Sequence, residues 1–142
     1  MSNNDTPFDE FGARHYDTPP ECRYVQFRTP STHGERSGRA LRCIRESLGL
    51  SARDFATFMN ASHRTVQRWE ADDLIPGVAE SALLKLIEIT ELWEQELTEA
   101  HQVAIYRSGY REVDGFVLPE SWWRALVGRV LTTHALLPVL MK

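Results

Sequence analysis

The sequence predicts a mainly α-helical chain. Short helices cluster over residues 38–89, and a long helix with a small α+β segment occupies residues 90–142. Three observations lead there. Apolar residues recur at helical spacing in three short runs between Leu41 and Trp69, separated by residues that cap or turn a chain. From Val78 to Val103 a further helical pattern meets neither glycine nor proline. Beyond it, Asp114-Gly115 is a turn signal followed by the β-type run Phe116-Val-Leu.

Taken in order, residues 1–37 are poor in aliphatic side chains, contain Pro7, Pro19, Pro20 and Pro30, and predict a mostly disordered tail. Within it, Cys22–Arg28 alternates weakly and is a candidate short strand. Residues 39–49 place Leu41, Ile44, Arg45 and Leu48 on one helical face, and Gly49 closes that helix in the left-handed conformation glycine adopts without strain. Ser51 caps the next helix, with Asp54 three positions on. Phe55, Ala56 and Met59 form its inner face. Asn60, a residue that tolerates positive φ, makes the turn. Ser62 caps a third helix over 63–70, which turns Val66 and Trp69 inward.

The long pattern from Val78 to about Val103 reads as one helix, or as two with a bend near Thr90. A strand is expected over Val103–Gly109, paired with Phe116–Leu118. Pro119 opens a last helix from Glu120 to about Leu131.

Composition narrows the function classes. The chain is 142 residues long with 42% hydrophobic residues and a net charge of −4. Its charge is unevenly spread. From Arg36 to Glu70 seven arginines face three carboxylates, whereas from Gly77 to Ile105 six glutamates face one lysine. A basic first half offers a face to an anion. Cys22 and Cys43 have no ligand-like spacing and read as reduced thiols, and the five histidines are scattered. No metal and no cofactor is expected. Nor is catalysis, because no nucleophile elbow, zinc-protease motif or phosphate-binding loop occurs. The polar, acidic start lacks an apolar signal segment and no stretch could span a bilayer, so a cytoplasmic, nucleoid-associated location is expected.

The informative stretch is Ser51 to Glu70. Two short helices that cross steeply need a small residue at the crossing (Ala56), a turn residue with unusual backbone angles (Asn60) and an inward pair on the second helix (Val66, Trp69). With those sides buried, the amino-terminal end of the second helix points outward. Its unpaired N–H groups and positive dipole end favour phosphate, and an α-helix fits the major groove.

Leu41–Ser51, Phe55-Ala56, Ser62, Val66–Glu70 and the following Pro76 resemble the Xre/λ-repressor-like helix-turn-helix family over residues 38–89. The resemblance implies a λ-repressor-like DNA-binding domain whose recognition helix is 63–70. It implies base contacts from His63, Arg64, Gln67 and Arg68, and phosphate contacts from the helix-start residues Ser51 and Ser62. It further implies a structural ion pair between Arg45 and Glu70. Ala52 stands where many relatives carry glutamine, so a phosphate contact is missing there. Arg53 or Arg39 is the candidate substitute; Arg39 and Arg42 are candidate phosphate contacts, with plain solvation the equal alternative for them and for Arg36.

The family usually dimerises on inverted half-sites. Trp93, Tyr106, Phe116, Trp122 and Trp123 are therefore assigned to a homodimer interface, the alternative being that they complete the chain's own core. The layout also resembles phage anti-CRISPR-associated autorepressors, which implies a dimeric transcriptional repressor acting on its own promoter. An antitoxin-type module, whose acidic helix and aromatic second half would cover a protein partner such as a toxin, is the competing expectation.

Overall fold

In the computed structural model, residues 14–20 and 34–142 are described. Their order is β1 (Arg14–Tyr16), α1 (Gly38–Ser47), α2 (Ala52–Met59), α3 (His63–Glu70), α4 (Gly77–Thr98), β2 (Val103–Ile105), β3 (Tyr110–Val113), β4 (Phe116–Pro119), α5 (Glu120–Leu131) and β5 (Val139–Met141). The class is mixed: five helices and a small antiparallel sheet. No helix among the described residues is long and apolar enough to cross a membrane. The chain divides into two units, Tyr24–Thr90 and Met1–Arg23 with Glu91–Lys142.

The described residues of the Tyr24–Thr90 unit are helical. Leu41, Phe55, Val66, Ile75, Leu83 and Leu86 are fully buried in it. Its helices begin and end where local chemistry dictates. Ser37 caps α1, accepting from the Ala40 amide at 3.1 Å. Gly49 takes φ 79° after α1, as expected. Ser51 and Asp54 form a reciprocal capping box on α2, each bond 3.0 Å long.

Part of the supposed disordered tail is built into this unit. The Gly34 amide donates to the Ile75 carbonyl at 2.6 Å, and the Ile75 amide returns a bond to Arg36 at 3.0 Å. Arg36 pairs with Glu80. Backbone pairing of this kind satisfies polar groups that a loose tail would leave to water, and composition does not register it. The candidate strand at Cys22–Arg28 and the rest of 1–13 and 21–33 lie outside the described residues.

In the second unit β3 and β4 form a hairpin, and β1 adds to β3, both antiparallel. The hairpin turn is Asp114-Gly115 at φ 52° and 83°, the two positive values that match a two-residue turn to strand twist. Two expectations are corrected. Phe116–Pro119 pairs with Tyr110–Val113, not with residues 103–109, because the Asp114-Gly115 turn can join only strands that abut it. Val103–Ile105 pairs instead, in parallel, with Val139–Met141. A further difference concerns α4, which runs as a single helix through Thr90 and stops at Thr98. The Thr90 hydroxyl donates to the Leu86 carbonyl at 2.7 Å, so it completes a bond within the helix.

Beneath the hairpin, the α5 residues Trp122, Trp123 and Leu126 pack with Val113 and Leu118, all at most 1% exposed. One buried network organises this core. Arg111 and Glu120, 0% and 1% exposed, form a two-pronged ion pair at 2.8 and 3.2 Å. Arg111 also donates to the Ala104 carbonyl and lies 4.3 Å from the Trp123 ring centre. Glu120 accepts the Tyr106 amide at 2.8 Å. His15 stacks on Tyr106, ring centres 3.5 Å apart, and bonds the Ser108 carbonyl at 2.7 Å. This contact, together with the pairing of β1 and β3, orders a piece of the residues expected to be disordered.

Candidate nucleic-acid interface

The candidate surface is built from α3 outward. Asn60 ends α2 at φ 58° and ψ 46° and reverses the chain in two residues. The Ala61 amide donates to the Ala56 carbonyl at 2.8 Å, closing the turn over the small residue. Ser62 then caps α3, accepting from the Thr65 amide at 3.1 Å. On this eight-residue helix Val66 and Trp69 are buried, against α1 and α2. Positions 64, 67 and 68 fall on another face, one turn apart. Arg64, Gln67 and Arg68 are all exposed there, and no ion-pair partner of either arginine is found among the described residues. No acidic residue occupies the first turn of α3, so its positive dipole end is uncompensated.

The cationic rim follows. Arg53 projects from the first turn of α2 and is exposed. Arg39 is 78% exposed, its side chain 4.0 Å from an almost fully solvated Asp73, a pair worth little in water. Arg42 pairs with Glu46 at 3.2 Å across one turn of α1, also in solvent. These three are therefore available to an anion. Arg36, tied to Glu80, is held in place.

Orientation comes from a clamp. Arg45 grips Glu70 with two bonds, at 2.6 and 3.0 Å, and gives a third to the Leu50 carbonyl at 2.8 Å. The expected Arg45–Glu70 ion pair is thus present, and it joins α1 to the last turn of α3. Both side chains are largely buried, at 8% and 12% exposure, and breaking one partner would strand the other. A hollow of about 380 Å³ lies over this pair, lined by Arg42, Ala52, Gln67 and Ala71. The methyl side chain of Ala52 leaves it open.

Other expected site residues fall as follows. His63 is half-buried, less open than Arg64. Ser51 and Ser62 are exposed, but both hydroxyls are engaged by their own helices. Ser62 also shares a 2.8 Å hydrogen bond with the Thr65 hydroxyl, which brings Thr65 to the start of α3. Thr65 was not among the residues singled out from sequence. A Ser-x-x-Thr spacing at a helix start was the available signal.

Gly38 was missed too. A Cβ there would come within 2.2 Å of the Trp69 carbonyl oxygen and 2.5 Å of the Glu70 carbonyl carbon. Only glycine lets α1 start so close to the end of α3, and its place one residue after a serine cap was the legible hint.

The interface aromatics need correction. Trp122 and Trp123 are 0% exposed and Phe116 is 5% exposed within the chain itself. They complete the core of their own unit, because the β3–β4 hairpin closes over α5. Trp93 meets Trp123 edge-on at 5.8 Å, and Tyr106 is held by His15, so both belong mainly to that packing.

No protein-family model matches this chain, and no curated protein matches it. Its geometry therefore stands as the ground for a functional reading.

Proposed function

We propose that this protein is a sequence-specific double-stranded DNA-binding regulator, a repressor that works as a homodimer on inverted half-sites. Residues 38–89 act as a λ-repressor-like helix-turn-helix domain. One observation carries the reading: a buried clamp and two inward side chains hold α3 fixed, while Arg64, Gln67 and Arg68 stand on its outward face. Rigidity at the back with long polar donors at the front is what reading base edges requires, since discrimination depends on fixed geometry.

On this reading α3 enters the major groove. Arg64 and Arg68 donate to guanine O6 and N7, and Gln67 bonds adenine or backbone. His63, at the helix start, approaches the duplex edge. Arg53, Arg39 and Arg42 neutralise phosphates beside it, and the exposed serine caps present the helix ends to the backbone. An acidic chain overall can do this because the charge that matters is local. The Ala52 hollow marks a place where one backbone contact is absent, so arginines carry more of the phosphate binding.

The direct test is fluorescence-anisotropy titration of the full chain with mixed-sequence duplex at stepped salt. The expected result is binding that weakens linearly in log affinity against log salt, with a slope of about −3 to −6 from a few phosphate contacts per domain. A flat response, or no binding at low ionic strength, would remove the reading.

A further inference from the structure

Hydroxyl side chains inside helices ordinarily turn back to a carbonyl of the preceding turn. Thr57 donates to the Arg53 carbonyl, Thr90 to Leu86 and Thr98 to Gln95. Thr65 on α3 does otherwise. Its hydroxyl meets the Ser62 hydroxyl at 2.8 Å and has no other partner among the described residues. A hydroxyl holds one proton and two acceptor lone pairs. One lone pair of Ser62 takes the Thr65 amide at 3.1 Å. When Thr65 gives its proton to the other, Ser62 can accept nothing more, and its own proton points out of the pair.

We propose that Thr65 is a positioning residue for DNA binding: its hydroxyl directs the Ser62 proton at a phosphate oxygen of the duplex. The role rests on the DNA reading above and deepens it. Ser62 accepts from its own helix, as every capping serine does, yet it still has a donor to give. Thr65 decides where that donor goes.

Exposure and acceptor chemistry select this order of donation. Ser62 is exposed and Thr65 half-buried, so Ser62 meets an incoming group first. A phosphate oxygen is ionised and only accepts, and a hydrogen bond to an ionised acceptor is about twice as strong as one between neutral groups. The phosphate draws on the Ser62 proton, which makes the Ser62 oxygen a better acceptor for Thr65, so the two bonds reinforce one another. Ser51 is the contrast within the same unit. Its hydroxyl takes only the Asp54 amide, at 3.0 Å, and keeps a lone pair free, so nothing fixes the direction of its proton. The Ser62 contact is made by a neutral group to a part of DNA that is the same at every base pair. It therefore adds affinity without adding to the salt slope or to sequence preference.

The test is a double-substitution cycle on the full chain, read by fluorescence anisotropy against several duplex sequences at stepped salt. Thr65→Val keeps the shape of the side chain and removes its hydroxyl. It should weaken binding about 3- to 10-fold, the contribution of one hydrogen bond, evenly across sequences and with the salt slope unchanged. Thr65→Ser, which keeps the hydroxyl, should bind as the unaltered chain does. Ser62→Gly removes the donor while glycine keeps most of the cap. In that background Thr65→Val should cost nothing further. A Thr65→Val chain that binds as tightly as the unaltered one overturns the role. So does one that loses as much in the Ser62→Gly background, which would make Thr65 a DNA contact in its own right. A fall in salt slope would also overturn it, because α3 would then have moved its arginines. Each of these results leaves the DNA reading standing. An unaltered chain that binds no duplex removes that reading and the Thr65 role together.

Discussion

Arginine does opposite work in the two units. Among the described residues of Tyr24–Thr90, Arg39, Arg53, Arg64 and Arg68 stand in solvent, and only Arg45 and Arg36 are engaged by half-buried glutamates. In the other unit Arg111 is sealed against Glu120, Arg124 donates to the Tyr106 and Arg107 carbonyls, and Arg129 grips Glu94 at 2.8 Å. Among the described residues, the first unit leaves four arginines in solvent, whereas the second ties three of its arginines to carboxylates or carbonyls and leaves Arg107 exposed. The same residue type thus separates a surface fit for a polyanion from a scaffold, and net charge over the whole chain averages the two away.

The comparison breaks first at its most buried pair. Glu120→Ala leaves Arg111 without its counter-ion at 0% exposure, and should cost about 3–5 kcal/mol in urea unfolding. A loss below about 1 kcal/mol would mean the pair is not what holds the hairpin on α5. Glu70→Ala strands Arg45 similarly, but the pair keeps some contact with water, so about 2–3 kcal/mol is expected by the same measurement.

Exposed arginines should behave in the reverse way. Arg64→Ala should leave stability within about 0.5 kcal/mol, as surface changes do. It should nonetheless reduce the preference for a specific duplex over random DNA by about 1–3 kcal/mol in competition titrations. Equal loss on both duplexes would assign Arg64 to phosphate. Smallest is Arg53→Ala, which should weaken binding evenly across sequences and lower the salt slope by about 1. An unchanged slope would place Arg53 away from the backbone.

Legibility in the sequence followed the range of the forces. Asn60, the Ser51–Asp54 box, the Ser62 cap and the Asp114-Gly115 turn were readable because each acts within four residues. Periodicity gave the inward faces of α2 and α3 for the same reason. Long-range pairing was not readable. Three residues at 14–16 carry no pattern that announces β3 as their partner, and β2 meets β5 across more than thirty residues. Trp122 and Trp123 were recognisable as apolar anchors, but a helical stripe does not say whether its cover is the same chain or a second one. No local pattern marks Arg111 for burial, which depends on Glu120, the Ala104 carbonyl and Trp123 coming together around it. The candidate site was more legible than the scaffold because its central residues, Arg64, Gln67 and Arg68, lie on one short helix.

The central claim, that the outward face of α3 reads a duplex, meets its most direct test in selection from a random duplex pool. The unaltered chain and the Arg64→Ala, Arg68→Ala double variant would be run side by side. The account predicts that the unaltered chain retrieves a two-fold consensus with half-sites about one helical turn apart, and that the variant retrieves none. A consensus unchanged by the double substitution, or no enrichment by the unaltered chain, would contradict it.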